Sequence, residues 1–495
     1  MGVSFVSPFE LVLSKLDASD KAVRIEEVQQ VEYRLYRRRW VGLVAIMLLN
    51  VVAGMPLVWF GPIADDVVNQ FGITLDQVNW LGNVVNVIYV PCACVIPALY
   101  SCIGLKKSCY VGAVCFILSG WIRYAATAKP LSMNGAFALM LLGQVLAGFA
   151  QPIFQVLIPR YSEKWFDLRG RTTATMLMSI ANPIGTGLSQ LISPLCGTPG
   201  QSLLILGIVF SAATPLVFFI EDAPPTPPTP SAAEQNPSFR SLVIALIGKT
   251  PYDAPTYMTF RQRIDFVVMA LVFGVLVGIT TSFSILTAQD FEPYGYGDLI
   301  SGLMGATILL VGIVAAVISA PLFDRVLSHH LALSCKCLCP ILGASWLSLI
   351  WAVRANNTGA LFAVMAIIGA SSLTLLPVAL ELAVELTRNA DGSSAVLWGS
   401  ANLFAVIFVV VEGALRAGPD ARPPYNMSRA LIFQGVLACT IVVALALEGK
   451  QQRRAEDERR IAAARAVTGD ALRLAEIVRR SDGKSDAGTV SGLDV

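Results

Sequence analysis

The stretch "EDAPPTPPTPSAAEQNPSFR" at residues 221–240 separates two long apolar parts of the chain. Its prolines and polar side chains bury little apolar surface, so we expect an extended linker, which a polar stretch continues to about residue 263. Six apolar blocks lie on each side of this linker. Each block is close to the length of roughly 20 residues that a helix needs to cross a bilayer. The linker therefore divides the chain into two halves.

The composition independently indicates a multi-pass membrane protein. Hydrophobic residues make up 55% of the 495 residues and charged residues only 14%, with a mean hydropathy of +0.65. A soluble domain carries nearer to about a quarter charged residues. The basic residues lie in short clusters beside apolar spans, which excludes a nucleic-acid partner. Residues 1–39 are charged and amphipathic and do not read as a signal peptide.

The chain is divided into five segments: the N-terminal segment 1–39, an N half 40–220, the linker 221–263, a C half 264–447 and a charged tail 448–495. We predict twelve spans, numbered in chain order: 40–64, 78–100, 108–127, 135–158, 172–195, 201–220, 264–288, 299–323, 331–352, 359–382, 394–416 and 428–447.

Basic residues near the span ends predict the orientation, because cytosolic loops carry an excess of Lys and Arg. They cluster on the side that holds both termini and the linker, for example at Arg37–Arg39, so this side is expected to be cytosolic. Glycosylation sequons begin at Asn356 and Asn426, both in predicted outer loops. The plasma membrane is the expected location, with a vacuolar or lysosomal membrane as the alternative.

The two halves resemble each other in sequence. "PRYSEKWFDLRGRTT" (159–173) follows span 4, and "PVALELAVELTRNADGSS" (377–394) occupies the same place at span 10. A glutamate follows the proline by four residues in both, at Glu163 and Glu381. Parallel six-helix repeats are the architecture of major facilitator transporters. The sequence therefore predicts an all-α membrane protein with two pseudo-symmetric halves of six helices.

Polar residues inside spans are costly and usually face a cavity or another helix. On span 4, Gln144, Gln151 and Gln155 fall within about 40° of one another around the helix axis. Asn402 of span 11 is the pseudo-symmetric counterpart of Asn182 in span 5. Hydrogen bonding and packing between helices is the alternative interpretation. The predicted substrate contacts are Gln151, Asn182, Thr281 and Asn402, followed by Trp59 and Gln144.

Charged residues at membrane depth are scarce, which weakens a proton-driven mechanism. Glu412 is placed near the outer end of span 11, and Arg123 near the outer end of span 3 is expected to extend its charge to the membrane surface. The His and Cys residues of "LSHHLALSCKCLC" (327–339) match no standard zinc spacing. Enzyme motifs are absent from the sequence. We expect no catalysis, metal or cofactor.

Glu381 and Glu385 lie four residues apart at the cytosolic end of span 10, on one helix face. We interpret this pair of glutamates as a latch between the two halves. The alternatives are a buried proton carrier and a catalytic pair. In the latch, one glutamate pairs with Arg325 or Arg388 when the transporter is closed to the cytosol. The predicted gate comprises Glu381, Glu385, Asp324, Arg325, Arg160, Glu163 and Arg388.

Several strings together resemble solute carrier family 49, the feline leukaemia virus subgroup C receptor-related branch of the major facilitator superfamily. They include "VNWLGNVVNVIYVP", "GQVLAGFAQPIF", "EDAPPTPPTPSA" and "LPVALELAVELT", and the resemblance spans about residues 40–447. It implies an organic solute of the choline/ethanolamine, vitamin or haem-like class. Choline-handling members use an aromatic cage from spans 1 and 7 and glutamines in spans 4 and 11. The corresponding residues here are Leu57, Thr281, Gln151 and Asn402, so the cage is altered.

The expected protein is a monomeric uniporter or weakly coupled transporter in which the two halves rock about a midplane site. A proton-driven exporter of a specialised metabolite or drug is the alternative. A third possibility is a receptor-like sensor that binds a solute without moving it.

Overall fold

The computed structural model describes residues 34–129, 131–168, 170–233, 237–252, 254, 256–322 and 331–447. The gate residues Asp324 and Arg325 lie outside this part of the chain, as do most of the N-terminal segment and the whole charged tail.

The N half is a bundle of six spans, three of which are broken into consecutive helices. Their bounds are Arg38–Val58 continued by Ala64–Phe71 (span 1), Leu75–Ile103 (span 2), Leu105–Ala125 (span 3), Met133–Gln155 and Leu157–Trp165 (span 4), Arg171–Ser179 and Ala181–Leu195 (span 5), and Pro199–Ala213 (span 6). Span 6 ends in a 3-10 helix, Thr214–Phe219.

The C half repeats the arrangement with longer uninterrupted helices. Their bounds are Phe260–Phe291 (span 7), Asp298–Leu322 (span 8), Leu331–Ala352 (span 9), Thr358–Thr387 (span 10), Ala390–Leu415 (span 11) and Ser428–Cys439 continued by the 3-10 helix Thr440–Ala446 (span 12). Within the described residues, ten helices are long and apolar enough to cross a membrane. Spans 5 and 12, which consist of shorter helices, are not among these ten. The predicted all-α fold of twelve spans is confirmed.

Sequence signals at the helix starts explain several of these bounds. Spans 2, 6 and 7 each begin with a T-x-x-Q motif: "TLDQ", "TPGQ" and "TFRQ". In each motif the threonine side chain accepts a hydrogen bond from the backbone N–H of the glutamine. The glutamine side chain in turn accepts one from the backbone N–H of the threonine. Such a capping box satisfies two amide groups that a helix start otherwise leaves unbonded. The break in span 5 falls at Ile180, three residues before Pro183, whose missing N–H removes one bond of the helix ladder.

Glycines let the spans of each half approach closely. A Cβ atom on Gly185 of span 5 would meet the carbonyl oxygen of Val51 in span 1, and one on Gly369 of span 10 would meet that of Ile308 in span 8. Helices in a membrane associate through this kind of close contact, because the lipid provides no hydrophobic drive between them. Each half is therefore a tightly packed bundle.

The linker differs from the expected extended chain. Residues 239–247, "FRSLVIALI", form a helix whose Leu242 and Ala245 are buried, because this part of the segment is apolar and not polar as predicted. Lys164 of span 4 donates to the carbonyl of Ala232 at 2.7 Å, and Asn389 donates to that of Ser238 at 3.0 Å. The linker thus contacts both halves on one side of the molecule. We call this the linker side and the opposite one the far side.

Candidate functional site

A cavity lies between the two halves, with about 1160 Å³ of empty space including solvent at its opening. Its walls come from spans 1, 4 and 5 of the N half and from spans 7 to 11 of the C half. Most of the lining is apolar, and among the described residues that line it none carries a formal charge. The polar members are Gln151, Gln155, Asn182, Thr186, Thr280, Thr281, Ser284, Ser372 and Asn402. An apolar cavity with a few convergent polar groups is typical of a small-molecule site.

The four residues ranked first as substrate contacts all line this cavity. Gln151 and Asn182 approach it from the N half, and Thr281 and Asn402 from the C half. Distant parts of the sequence are thus brought to one place, as the repeat predicted. Their contact with a substrate stays a prediction.

Two glutamine side chains of span 4 face the cavity without a protein partner. The amides of Gln151 and Gln155 are buried, and their carbonyl oxygens bond to no other described residue. Asn402, by contrast, donates to the carbonyl of Trp398 at 2.8 Å, and Asn182 donates to that of Asn50 at 3.3 Å. Because an unbonded buried polar group costs free energy, the two glutamine oxygens are suited to accept hydrogen bonds from a solute.

The cavity also has an aromatic wall that was not among the predicted site residues. Trp398 of span 11 and Phe273 of span 7 both line it, with ring centroids 5.2 Å apart and planes at 89°. The indole N–H of Trp398 is buried and has no partner among the described residues. Trp398 lies four residues before Asn402, so helical spacing was a signal for it. Phe273 gave no such signal, because one phenylalanine in an apolar span is indistinguishable from packing.

Trp59 and Gln144, the other two predicted contacts, are not part of the cavity lining. Trp59 is fully buried within the N half, and its indole N–H donates to Ser202 Oγ at 2.6 Å. Gln144 Nε2 donates to the carbonyls of Pro56 and Leu81, both at 2.9 Å. Both side chains therefore tie spans of the N half together.

Arg123 explains the position of Gln144 and corrects an expectation. Its guanidinium does not reach the membrane surface: the residue is fully buried, and Nη1 donates to Gln144 Oε1 at 2.5 Å. Nε and Nη2 donate to the carbonyl and hydroxyl of Ser119 at 3.1 and 3.0 Å, and the charge lies 5.1 Å from the ring centroid of Phe210. The N half surrounds this cation with acceptors, as burial requires.

On the linker side, two polar contacts join the halves. Arg160 of span 4 and Asp391 of span 11 form an ion pair at 2.8 Å, with side chains 20% and 4% exposed. Thr175 of span 5 donates to Glu381 of span 10 at 2.5 Å. Glu381 thus joins the halves through a hydroxyl group. The pairing of one of the two glutamates with Arg325 or Arg388 stays a prediction, because Arg325 lies outside the described residues. Asp391 and Thr175 were missed, because only the fold brings them opposite their partners.

The remaining described gate residues surround these contacts. Glu163 lies 3.9 Å from Arg171 within the N half. Glu385 is half-buried on span 10, and Arg388 ends that helix with a left-handed backbone, φ 54°. The described gate residues therefore lie on the linker side, and their role as a gate stays a prediction.

The far side carries contacts of the same kind. Gln289 Nε2 of span 7 donates to Asn79 Oδ1 of span 2 at 2.9 Å, and Gln190 Nε2 of span 5 donates to the carbonyl of Ser284 at 3.3 Å. The halves are bonded to each other at both ends, and the cavity lies between these contacts.

Both sequon asparagines lie in far-side loops, with different exposure. Asn356 is exposed, with φ 59°. Asn426 is 8% exposed and donates to the carbonyl of Pro423 at 2.6 Å. The folded chain therefore offers Asn356 to solvent and holds Asn426 inside a loop.

Known proteins share both the sequence pattern and the fold. Residues 46–412 match the family model of the Major Facilitator Superfamily. Solute carrier family 49 member A3 of Xenopus tropicalis is 27% identical over 84% of this chain and 86% of its own length, and that of Danio rerio is 26% identical over 89% and 93%. The human choline/ethanolamine transporter FLVCR2 is 22% identical over 79% and 74%.

These matches confirm the resemblance to solute carrier family 49. The fold is also similar to the crystal structure of the human organic anion transporter MFSD10 (TETRAN), with a TM-score of 0.60 at 13% identity over 82% of this chain and 99% of that one. The family model covers well over half of the residues. This chain belongs to the Major Facilitator Superfamily.

Proposed function

We propose that the protein moves a small organic solute across its membrane by alternating access, and that the cavity between the halves is the binding site. The observation that carries this proposal is a cavity walled by both halves. Among the described residues, two glutamine carbonyl oxygens there have no partner and no lining residue is charged. Rocking of the halves about such a site exposes it to one side at a time.

The chemistry of the lining narrows the class of solute. Gln151 and Gln155 supply hydrogen-bonding groups, and the rings of Trp398 and Phe273 suit an apolar or cationic group. A solute with several carboxylates would meet no described cation in the lining, and an unpaired buried charge is costly. These features support a choline/ethanolamine- or vitamin-like solute over a haem-like one.

The contacts at the two ends serve as gates in this mechanism. Opening on the linker side requires the Arg160–Asp391 pair and the Thr175–Glu381 bond to part. Opening on the far side requires the Asn79–Gln289 and Gln190–Ser284 bonds to part. Each gate consists of a few polar contacts, so states that differ by a few kcal/mol can exchange. Because no described lining residue is charged, a uniporter or weakly coupled cycle is favoured.

The test is uptake of radiolabelled choline and ethanolamine into liposomes that contain the full chain. Gln151→Ala and Asn402→Ala are expected to reduce uptake at least about tenfold, which corresponds to roughly 1.4 kcal/mol of lost binding. Thr307→Ala is the matched control, because this hydroxyl bonds only to the carbonyl of Leu303 in its own helix. Undiminished uptake in both cavity variants would refute the site, and binding without flux would support a receptor-like protein.

A proton-driven exporter of a specialised metabolite or drug is the second candidate. Two buried carboxyl groups of the C half, Asp290 and Glu412, favour it. Transport in this case stops when the proton gradient is dissipated, whereas a uniporter continues down the gradient of its solute.

We further propose that the linker side faces the cytosol and that the protein lies in the plasma membrane, with a vacuolar or lysosomal membrane as the alternative. The distribution of basic residues supports this orientation. Asn356→Cys provides the test, since an impermeant thiol reagent added outside intact cells should label it.

A further inference from the structure

Two carboxyl groups are buried towards the far side of the C half. Asp290 of span 7 is 1% exposed and Glu412 of span 11 is fully buried. The sequence suggested only that Glu412 lies near the outer end of its span, and nothing singled out Asp290. Neither residue lines the cavity or belongs to the gates described above.

Hydrogen bonding satisfies these two groups only in part. Ser282 Oγ of span 7 donates to Glu412 Oε1 at 3.0 Å, while Glu412 Oε2 has no partner among the described residues. Gln434 of span 12, itself 1% exposed, faces the same carboxyl group. Neither oxygen of Asp290 bonds to any described residue. Spans 7, 11 and 12 thus meet at Glu412, and Asp290 lies about two helical turns beyond Ser282 on span 7.

No described cation compensates these carboxyl groups in an ion pair. Arg416, one helical turn beyond Glu412, donates to the carbonyl of Tyr425 at 3.4 Å and covers that ring. The tyrosine hydroxyls nearby are bonded elsewhere, Tyr294 to Ser428 and Tyr296 to the carbonyl of Arg354. Among the C-half side chains that the structure describes at this end, the other charged residues are Glu292, which has contacts of its own, and the exposed Arg354, Asp420, Arg422 and Arg429.

Physical chemistry limits the charge that such a pair can hold. Removing a carboxylate from water without a counter-charge costs several kcal/mol even after relaxation. A negative charge on Asp290 would also add to the cost of a negative charge on Glu412, because like charges repel. Binding of protons removes both costs, because a neutral carboxyl group is far cheaper to bury.

We propose that Asp290 and Glu412 form a proton-binding site of the C half. This goes beyond the proposed solute transport, because it assigns a second, chemically different ligand to a separate site. Ser282 connects the two sites physically: it bonds to Glu412, and its neighbour Thr281 lines the cavity. A change in the protonation of Glu412 alters this bond directly beside the solute site.

The test measures the protons themselves and needs no solute. The full chain in lipid is titrated while infrared difference spectroscopy follows the C=O stretch of protonated carboxyl groups. We expect this band in the wild type at neutral pH, a smaller band in Asp290→Asn or Glu412→Gln, and its loss in the double variant. Both changes are nearly isosteric, so the fold should persist, which the thermal transition of each variant checks.

Asp66→Asn is the matched control, because it removes an exposed carboxyl group on the same side of the membrane. It should leave the band at neutral pH unchanged. A band that persists in the double variant would overturn the proposal. So would a band that is absent in the wild type and appears only when sodium is removed, since the site would then hold a metal ion.

A second measurement separates this proposal from the proposed function. Exchange of radiolabelled choline across the liposome membrane should depend on pH in the wild type and lose that dependence in the double variant. The infrared result decides on proton binding even if choline is not carried. Exchange that responds to pH equally in both proteins would break the link between the two sites.

Discussion

At the scale of single residues, identical side chains take different roles because of their neighbours. Gln144 and Gln151 lie seven residues apart on one face of span 4, and both are buried. Gln144 is held by Arg123 and by two backbone carbonyls. Gln151 lines the cavity, and its carbonyl oxygen has no partner among the described residues. The first side chain is structural, and the second is one of the proposed solute contacts.

Gln144→Leu should destabilise the protein strongly. It removes an acceptor from the buried guanidinium of Arg123 and a donor from two carbonyls, and we expect the free energy of unfolding to fall by about 3 kcal/mol. The thermal transition of the purified protein measures the effect. Gln151→Leu is the matched control, with no lost hydrogen bond and little change in stability. Equal transitions for both variants would contradict the structural role of Gln144.

The site residues that sequence could predict are those with an unusual residue type for their depth. Gln151, Asn182 and Asn402 stand out in apolar spans, and all three reach the cavity. The same reasoning could not exclude Gln144, because the carbonyls that hold it belong to distant residues. This reasoning also missed Phe273, because a phenylalanine is an ordinary residue in an apolar span.

At the scale of elements, bends in the spans are stabilised by side chains from their neighbours. Span 4 is interrupted at Val156, three residues before Pro159. Near the break, the carbonyl of Phe154 accepts from Asn50 Nδ2 at 2.7 Å and that of Ile153 accepts from the hydroxyl of Tyr100 at 2.5 Å. In a membrane such carbonyls have no water to bond, so partners from spans 1 and 2 replace it. Proline signals the bend in the sequence, but its partners do not.

Gly369→Val should separate spans 8 and 10. A Cβ atom at this position would lie 1.8 Å from the carbonyl oxygen of Ile308, and backbone cannot yield as a side chain can. We expect a large loss of folded protein, measured as yield after size-exclusion chromatography. Gly359→Val in the same helix is the control, since nothing lies within 4 Å of its Cβ position. Normal yield of Gly369→Val would contradict the close helix crossing.

At the scale of the whole molecule, a small number of polar contacts holds the halves in register. The described linker adds contacts to spans 4 and 11 on one side. The internal repeat and the apolar blocks were enough to predict the twelve-span fold. They were not enough to predict the partner of Arg160. Arg160 and Asp391 are 231 residues apart, and only the packing of the halves makes them partners.

Asp391→Asn should favour opening on the linker side. The ion pair with Arg160 is partly exposed, so its loss should shift the equilibrium by about 1 kcal/mol, or roughly fivefold. Labelling of the buried cavity thiol Cys339 by an impermeant maleimide on the linker side, resolved by mass spectrometry, should accelerate accordingly.

The control for this measurement is Arg261→Gln, which removes an ion pair at 3.1 Å to Asp265 within one helix. It should leave the labelling of Cys339 unchanged. Asn79→Ala, on the far side, should slow linker-side labelling or leave it at the wild-type rate. Labelling of Asp391→Asn at the wild-type rate would argue against a gate at this pair.

The uncharged lining of the cavity has an electrical consequence. In the proposed cycle, no charge from the described lining residues crosses the membrane field when the empty cavity reorients. A bound cation does cross it, at a cost or gain of about 2.3 kcal/mol per 100 mV. For a cationic solute, membrane voltage would therefore drive the step in which the solute-bound transporter reorients. It would have little effect on the step in which the empty transporter returns.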